Sequence, residues 1–128
     1  MKEWSVSWKS SKSPRKQRKY RFTAPIHVKR KFLSCHLASD LRKKYARRNI
    51  VAVVGDKAKV VRGEYKGHSG KVELVNSRKG KISVSGIDIS KKDGTKSNYF
   101  FAPASLVITE LNLDSKNRNN LLKRKSEK

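Results

Sequence analysis

From residue 51 to residue 110 the apolar side chains fall on every second position in short runs, with glycine or a polar pair closing each run. That period belongs to strands with one face buried, and it excludes a helical core for this part of the chain. Lys57 to Arg62, Lys71 to Val75, Lys81 to Ser85 and Leu106 to Thr109 read as strands, with a shorter one from Asn98 to Phe101. Gly55-Asp56, the stretch from Gly63 to Gly70, Lys79-Gly80 and the hairpin pair Asp93-Gly94 supply the turns. Five short strands with tight turns predict a mainly β fold, a small and strongly bent barrel, with Ala58, Val60, Val72 and Leu74 pointing inward. A domain this size buries only about 60% of its unfolded surface, so the core is expected to be marginal alone.

Charge divides the rest. The 128 residues carry 33 Lys and Arg against 10 Asp and Glu, a net +23. Residues 1–52 hold 16 of those cations and 2 acids, residues 53–110 hold 11 and 6, and residues 111–128 hold 6 and 2. The middle has the mixed sign of an ordinary domain, whereas the first segment is basic and poor in apolar residues. Four parts are expected: a basic N-terminal extension over 1–23, short helices over 24–50 that pack on the barrel and a partner, the barrel over 51–110, and a basic C-terminal tail or helix over 111–128. An excess of this size asks for a polyanion, and nucleic acid is the leading one. The longest apolar run, Ile50 to Val54, is far shorter than the roughly 20 residues of a membrane span. With no signal-like leader either, the expectation is a soluble intracellular protein.

Candidate contacts follow the charge. In Ser13-Pro14-Arg15-Lys16-Gln17-Arg18-Lys19-Tyr20-Arg21, guanidinium forks match phosphate oxygens, and Tyr20 offers a stacking face. Pro25 suits the first position of a helix running through Ile26 to Phe32, and Ser39 can cap another from Asp40 to about Ala46. Leu37, Leu41 and Tyr45 would pack on the barrel, turning Lys29, Arg30, Lys31, Arg42, Lys43, Arg47 and Arg48 outward. The glycine loop from Gly63 to Gly70 permits close backbone approach, with Arg62, Tyr65, Lys66, His68 and Lys71 placed around Gly67. Near the C-terminus, Lys123 and Arg124 extend the basic surface, on a short helix around Leu121 and Leu122 expected to lie on the nucleic acid.

No catalytic constellation, cofactor or metal site is expected. Cys35 stands alone, and His27, His36 and His68 are widely spaced. Adjacent Cys35 and His36 point in different directions and lack an orienting third group. Asp40, Asp56, Glu64, Glu73, Asp88 and Asp93 are scattered singly. Gly70-Lys71 is followed by Val72, which rules out a phosphate-binding P-loop.

The run from Gly55-Asp56 through Gly67 to Gly70-Lys71-Val72 resembles a KOW motif. Together with residues 13–19, Ala24-Pro25-Ile26-His27, Ser34-Cys35-His36-Leu37, Leu41-Arg42-Lys43-Lys44-Tyr45 and Arg47-Arg48, it resembles the archaeal and eukaryotic branch of the large-subunit ribosomal protein twenty-four family over residues 13–122. The resemblance implies an SH3-like barrel in the cytoplasmic ribosome that binds the 5′ region of large-subunit ribosomal RNA, enters assembly early and sits near the peptide exit tunnel. Its partners would be that RNA, neighbouring large-subunit proteins and, at the tunnel, nascent-chain or translocation factors. It also implies that Arg15, Lys16, Arg18, Lys19 and Arg21 thread between RNA helices, and that Arg62, Tyr65, Lys66, Gly67 and His68 contact RNA from the loop. Trp4 and Trp8 have no counterpart in the family pattern. Ala102 and Ala104 flank Pro103 where the family shows His-Pro-Ser, so no polar contact carries over there. A KOW-type transcription elongation factor is the alternative, and it would need a further domain.

Overall fold

A computed structural model describes residues 3–126, with side chains described as far as Lys123. Seven strands form one mixed sheet: β1 (Ser34–Leu37), β2 (Asn49–Val51), β3 (Lys57–Val60), β4 (Ser69–Asn76), β5 (Lys81–Ser90), β6 (Lys96–Phe101) and β7 (Leu106–Glu110). Their order is β2-β1-β7-β3-β4-β5-β6, antiparallel throughout except where β1 runs parallel to β7. Strand β4 bends midway, so that Ser69–Lys71 pairs with β3 while the remainder, from Val72 to Asn76, pairs with β5. The result is the expected mainly β, SH3-like barrel.

The five expected strands are all present, and two more come from 34–51, where the apolar pattern suggested only helices. Both are too short to display alternation: Ser34–Leu37 and Asn49–Val51 are four and three residues long. What places them is burial, since Cys35, Leu37 and Ile50 join Val60, Val72, Ile82, Val84, Leu106 and Ile108 in one core. Each fully buried Leu or Ile contributes about 1.5–3 kcal/mol. Ile82, Leu37, Leu106 and Ile108 have no exposed surface at all.

Leu74 departs from the expected inward set. Val72 pairs with Val84 and Leu74 with Ser83, so β4 carries one extra residue at Glu73. The bulge reverses the alternation beyond it, and Leu74 faces outward at 50% exposure. Gly70 permits the bend, because a Cβ there would stand 2.6 Å from the Ser85 carbonyl oxygen.

The described residues also form the helices α1 (Pro14–Thr23), α2 (Ile26–Lys31), α3 (Ser39–Tyr45) and α4 (Lys116–Ser126). The basic run is thus itself helical, with Pro14 in its first turn. Pro25 precedes α2 rather than opening it, and Ser39 is the first residue of α3, with Ala38 at the cap position. Leu41 and Tyr45 pack against the core as expected. Helix α4 lies against the barrel: Leu122 is buried in its core, while Leu121 remains 40% exposed.

One buried ion pair ties that helix down. Asp56 is fully buried and accepts hydrogen bonds from Arg118 Nη1 at 2.6 Å and Nη2 at 2.7 Å. It also accepts from the backbone N–H groups of Val53 (2.9 Å) and Asn112 (2.8 Å). Gly55, at φ +92°, makes the turn that lets Asp56 reach all of them. The Gly-Asp pair of the motif therefore anchors the C-terminal segment.

Candidate nucleic-acid interface

A second, smaller apolar cluster shapes the basic extension. Tyr20, Ala24 and Val28 are buried, and Trp4 and Trp8 pack against them. The Trp4 and Tyr20 rings stack with centroids 5.5 Å apart, and Lys19 Nζ lies 4.7 Å from the centre of the Trp8 ring. The Gln17 side-chain amide donates to the carbonyls of Lys9 (2.9 Å) and Ser11 (2.8 Å), clasping the 3-10 turn Val6–Ser10 against α1. Tyr20 is therefore 7% exposed and packs inside the extension, where a free stacking face was expected. Gln17 is likewise used structurally. Arg15, Lys16, Arg18, Lys19 and Arg21 are left on the outer surface. Phe22 stands among them at 70% exposure.

The remaining candidates fall on separate surfaces. Lys29 and Arg21 face one cleft of about 530 Å³, whereas Arg30, Lys31 and Arg47 border another of about 620 Å³ between α2, β2 and α4. Lys43 and Arg48 are exposed, while half-buried Arg42 donates to the Leu37 carbonyl at 2.6 Å. In the loop between β3 and β4, Arg62, Lys66 and Gly67 are exposed, Gly67 with φ +95°. Tyr65 meets Tyr99 edge-on, centroids 4.9 Å apart, and is half-buried against the core. His68 Nε2 donates to the Ser85 carbonyl at 3.0 Å. Lys71 lies exposed on β4, and Lys123 is exposed on α4; the Arg124 side chain falls outside the described residues.

Sequence reading missed several members of the first cleft: Phe32, His36, Asn49, Arg78 and Lys79. Arg78-Lys79 precedes Gly80 and reads as a turn, and no local pattern links it to α1 or to β2. Among the described residues, ion pairs join Lys57 to Glu110 and Arg118 to Asp56. No carboxylate among them lies within ion-pair distance of Arg15, Lys16, Arg18, Arg21, Lys29, Arg30 or Arg78, so their field is directed at solvent. No group of three potential metal ligands is found among the described residues, and no helix there is long and apolar enough to cross a membrane.

A family model for the ribosomal proteins called L26 in eukaryotes, together with their archaeal L24 counterparts, matches residues 11–125. The chain belongs to that family. Among its curated relatives is the large ribosomal subunit protein uL24 of Methanosarcina barkeri, 43% identical over 114 residues, covering 89% of this chain and 98% of the relative. The protein of the same name from Methanosphaera stadtmanae is 42% identical over 115 residues, 90% of this chain and 98% of its own. As a family member the chain is a structural constituent of the large ribosomal subunit, and not an enzyme. The elongation-factor alternative falls with that membership. The family match begins after Trp4 and Trp8, so the 3-10 turn and the two tryptophans that pack on α1 lie outside it, while Gln17 and Tyr20 lie inside.

Proposed function

We propose that this protein binds the 5′ region of large-subunit ribosomal RNA early in subunit assembly, near the peptide exit tunnel of the cytoplasmic ribosome. The observation that carries this reading is the set of exposed cations on α1, α2 and the 77–80 turn without carboxylate partners among the described residues. Such a surface repels itself, and phosphates relieve the repulsion while releasing condensed counterions. The barrel sets the register in which α1, α2 and α3 present their charges, with Arg62 and Lys66 adding contacts from the loop. Neighbouring large-subunit proteins, and nascent-chain or translocation factors at the tunnel, are the further partners in this reading.

Binding to separate transcripts of the 5′ and 3′ halves of large-subunit RNA tests it, followed by sedimentation with assembling subunits. Preferential 5′ binding and appearance in early particles are expected. Equal affinity for both halves refutes the regional assignment, and entry only into finished subunits refutes the early role.

A further inference from the structure

The cleft of about 530 Å³ is assembled from five separate parts of the chain: the end of α1, α2, the β1-β2 pair, the 77–80 turn and residues 102–104. Phe32 supplies an aromatic wall at 38% exposure. The Arg21 guanidinium lies over that ring, 5.8 Å from its centre, and carries the planar surface outward from it. Pro103 lies in the 3-10 turn that lines another part of the cleft, and Ala102 and Ala104 beside it are short enough to leave the space open. His36 and Asn49, both exposed, are register partners across β1 and β2 and offer an imidazole and an amide side by side.

The charge of the cleft has one sign. Arg21, Lys29, Arg78 and Lys79 line it, no carboxylate does, and none of the four has an acidic partner among the described residues. A planar aromatic wall, an amide and imidazole to read an edge, and cations from three directions match the parts of one nucleotide: base face, base edge and phosphate. The volume lies within the range of small-molecule sites. A paired base keeps both faces in the stack, so only an unstacked nucleotide can present one to Phe32.

We propose that this cleft captures a single unstacked nucleotide, splayed from a loop or bulge of the bound RNA. The assignment rests on the RNA-binding reading above and adds to it a discrete base-recognising site, distinct from the phosphate contacts of Arg15, Lys16, Arg18 and Lys19 on α1. Phe32 and Arg21 receive the base plane, Asn49 and His36 its edge, and Lys29, Arg78 and Lys79 the flanking phosphates.

The test uses the isotope-labelled full chain with two probes, a single-stranded RNA tetranucleotide and a blunt RNA duplex. The tetranucleotide is expected to shift amide resonances of Phe32, His36, Asn49 and Gly80, and the duplex those of α1. Phe32→Ala should weaken tetranucleotide binding at least about fivefold, the loss of one base stack, with duplex affinity unchanged. Since Phe32 also touches Tyr20, Asn49→Ala on its exposed strand serves as the second variant, with a smaller loss in the same direction. Tetranucleotide shifts spread along α1 and α3, or unchanged affinity in both variants while the duplex still binds, overturn the cleft assignment and leave the RNA reading standing. Failure of the unaltered chain to bind either probe overturns both.

Discussion

Asp56 is a single carboxylate holding two backbone N–H groups and both terminal nitrogens of Arg118, with no exposed surface. Removing one partner of a buried pair leaves the other charge uncompensated, at a cost of about 3–5 kcal/mol. Asp56→Ala should therefore lower unfolding stability in urea by that amount and release α4. Replacing both residues by Leu and Met should recover part of the loss, which denaturation of the single and double variants would check. Cys35 presents the opposite case, a titratable group with no charged partner to stabilise its ionised form. Burial, with the Asp56 charge adding to it, pushes its thiol from 9.0 up to about 12. The raised value means the folded state prefers the proton. The contribution to stability is complete below pH 9.0 and is lost as pH climbs from there through about 12. Reaction with a thiol reagent at about pH 8, below the ordinary thiol range, should accordingly follow global unfolding, and a fast native-state reaction would contradict the burial. The sequence shows Asp56 as the second half of a turn and Cys35 as a lone thiol, because the partner of Asp56 lies 62 positions away in Arg118 and the core that buries Cys35 is assembled from strands far along the chain.

Helix α1 places five cations in ten residues, with Arg15, Arg18 and Lys19 at spacings where like charges repel. A helix of this length is unstable alone, so its order depends on what packs against it. The stack of Trp4 on Tyr20 and the carbonyls held by Gln17 provide that support. Trp4→Ala should reduce hydrogen-exchange protection of α1 amides by about 2- to 12-fold, the effect of losing an aromatic pair. Protection in β5 should stay unchanged; an equal fall in both would mean that the extension and barrel unfold together. The legibility of the elements follows the same division. Strands β3 to β7 carry enough alternating residues to be read directly, whereas β1 and β2 are too short and are defined by partners far along the chain. The basic run gave its charge away but not its helix, since Tyr20 and Gln17 take their roles from Trp4, Trp8 and the backbone around Ser11. The Leu74 reversal was hidden for a different reason: a bulge leaves no mark on the residues beside it.

At the scale of the whole molecule, a net +23 is distributed around a barrel that pairs few of its charges internally. If about ten cations meet phosphate, log affinity for RNA should fall with log salt at a slope between about −7 and −9. Replacing Arg15, Lys16, Arg18 and Lys19 together by Ala should flatten that slope by about 3 to 4, one contact per residue. A slope near about −2 for the unaltered chain would show that the extensions are bystanders. Charge and family motifs made a polyanion partner the expectation from sequence, with the α1 and loop cations as its candidate contacts. The cleft was not legible, because Arg78, Lys79 and Asn49 come together only when the sheet closes. That closure also sets a timetable for synthesis. β1 waits for β7, whose partner residues come about seventy positions later, and the carboxylate of Asp56 waits for an arginine 62 positions further on. While this protein is itself being translated, its basic front is exposed long before its core can lock, so the emerging chain must remain soft until Arg118 has left the ribosome that is making it.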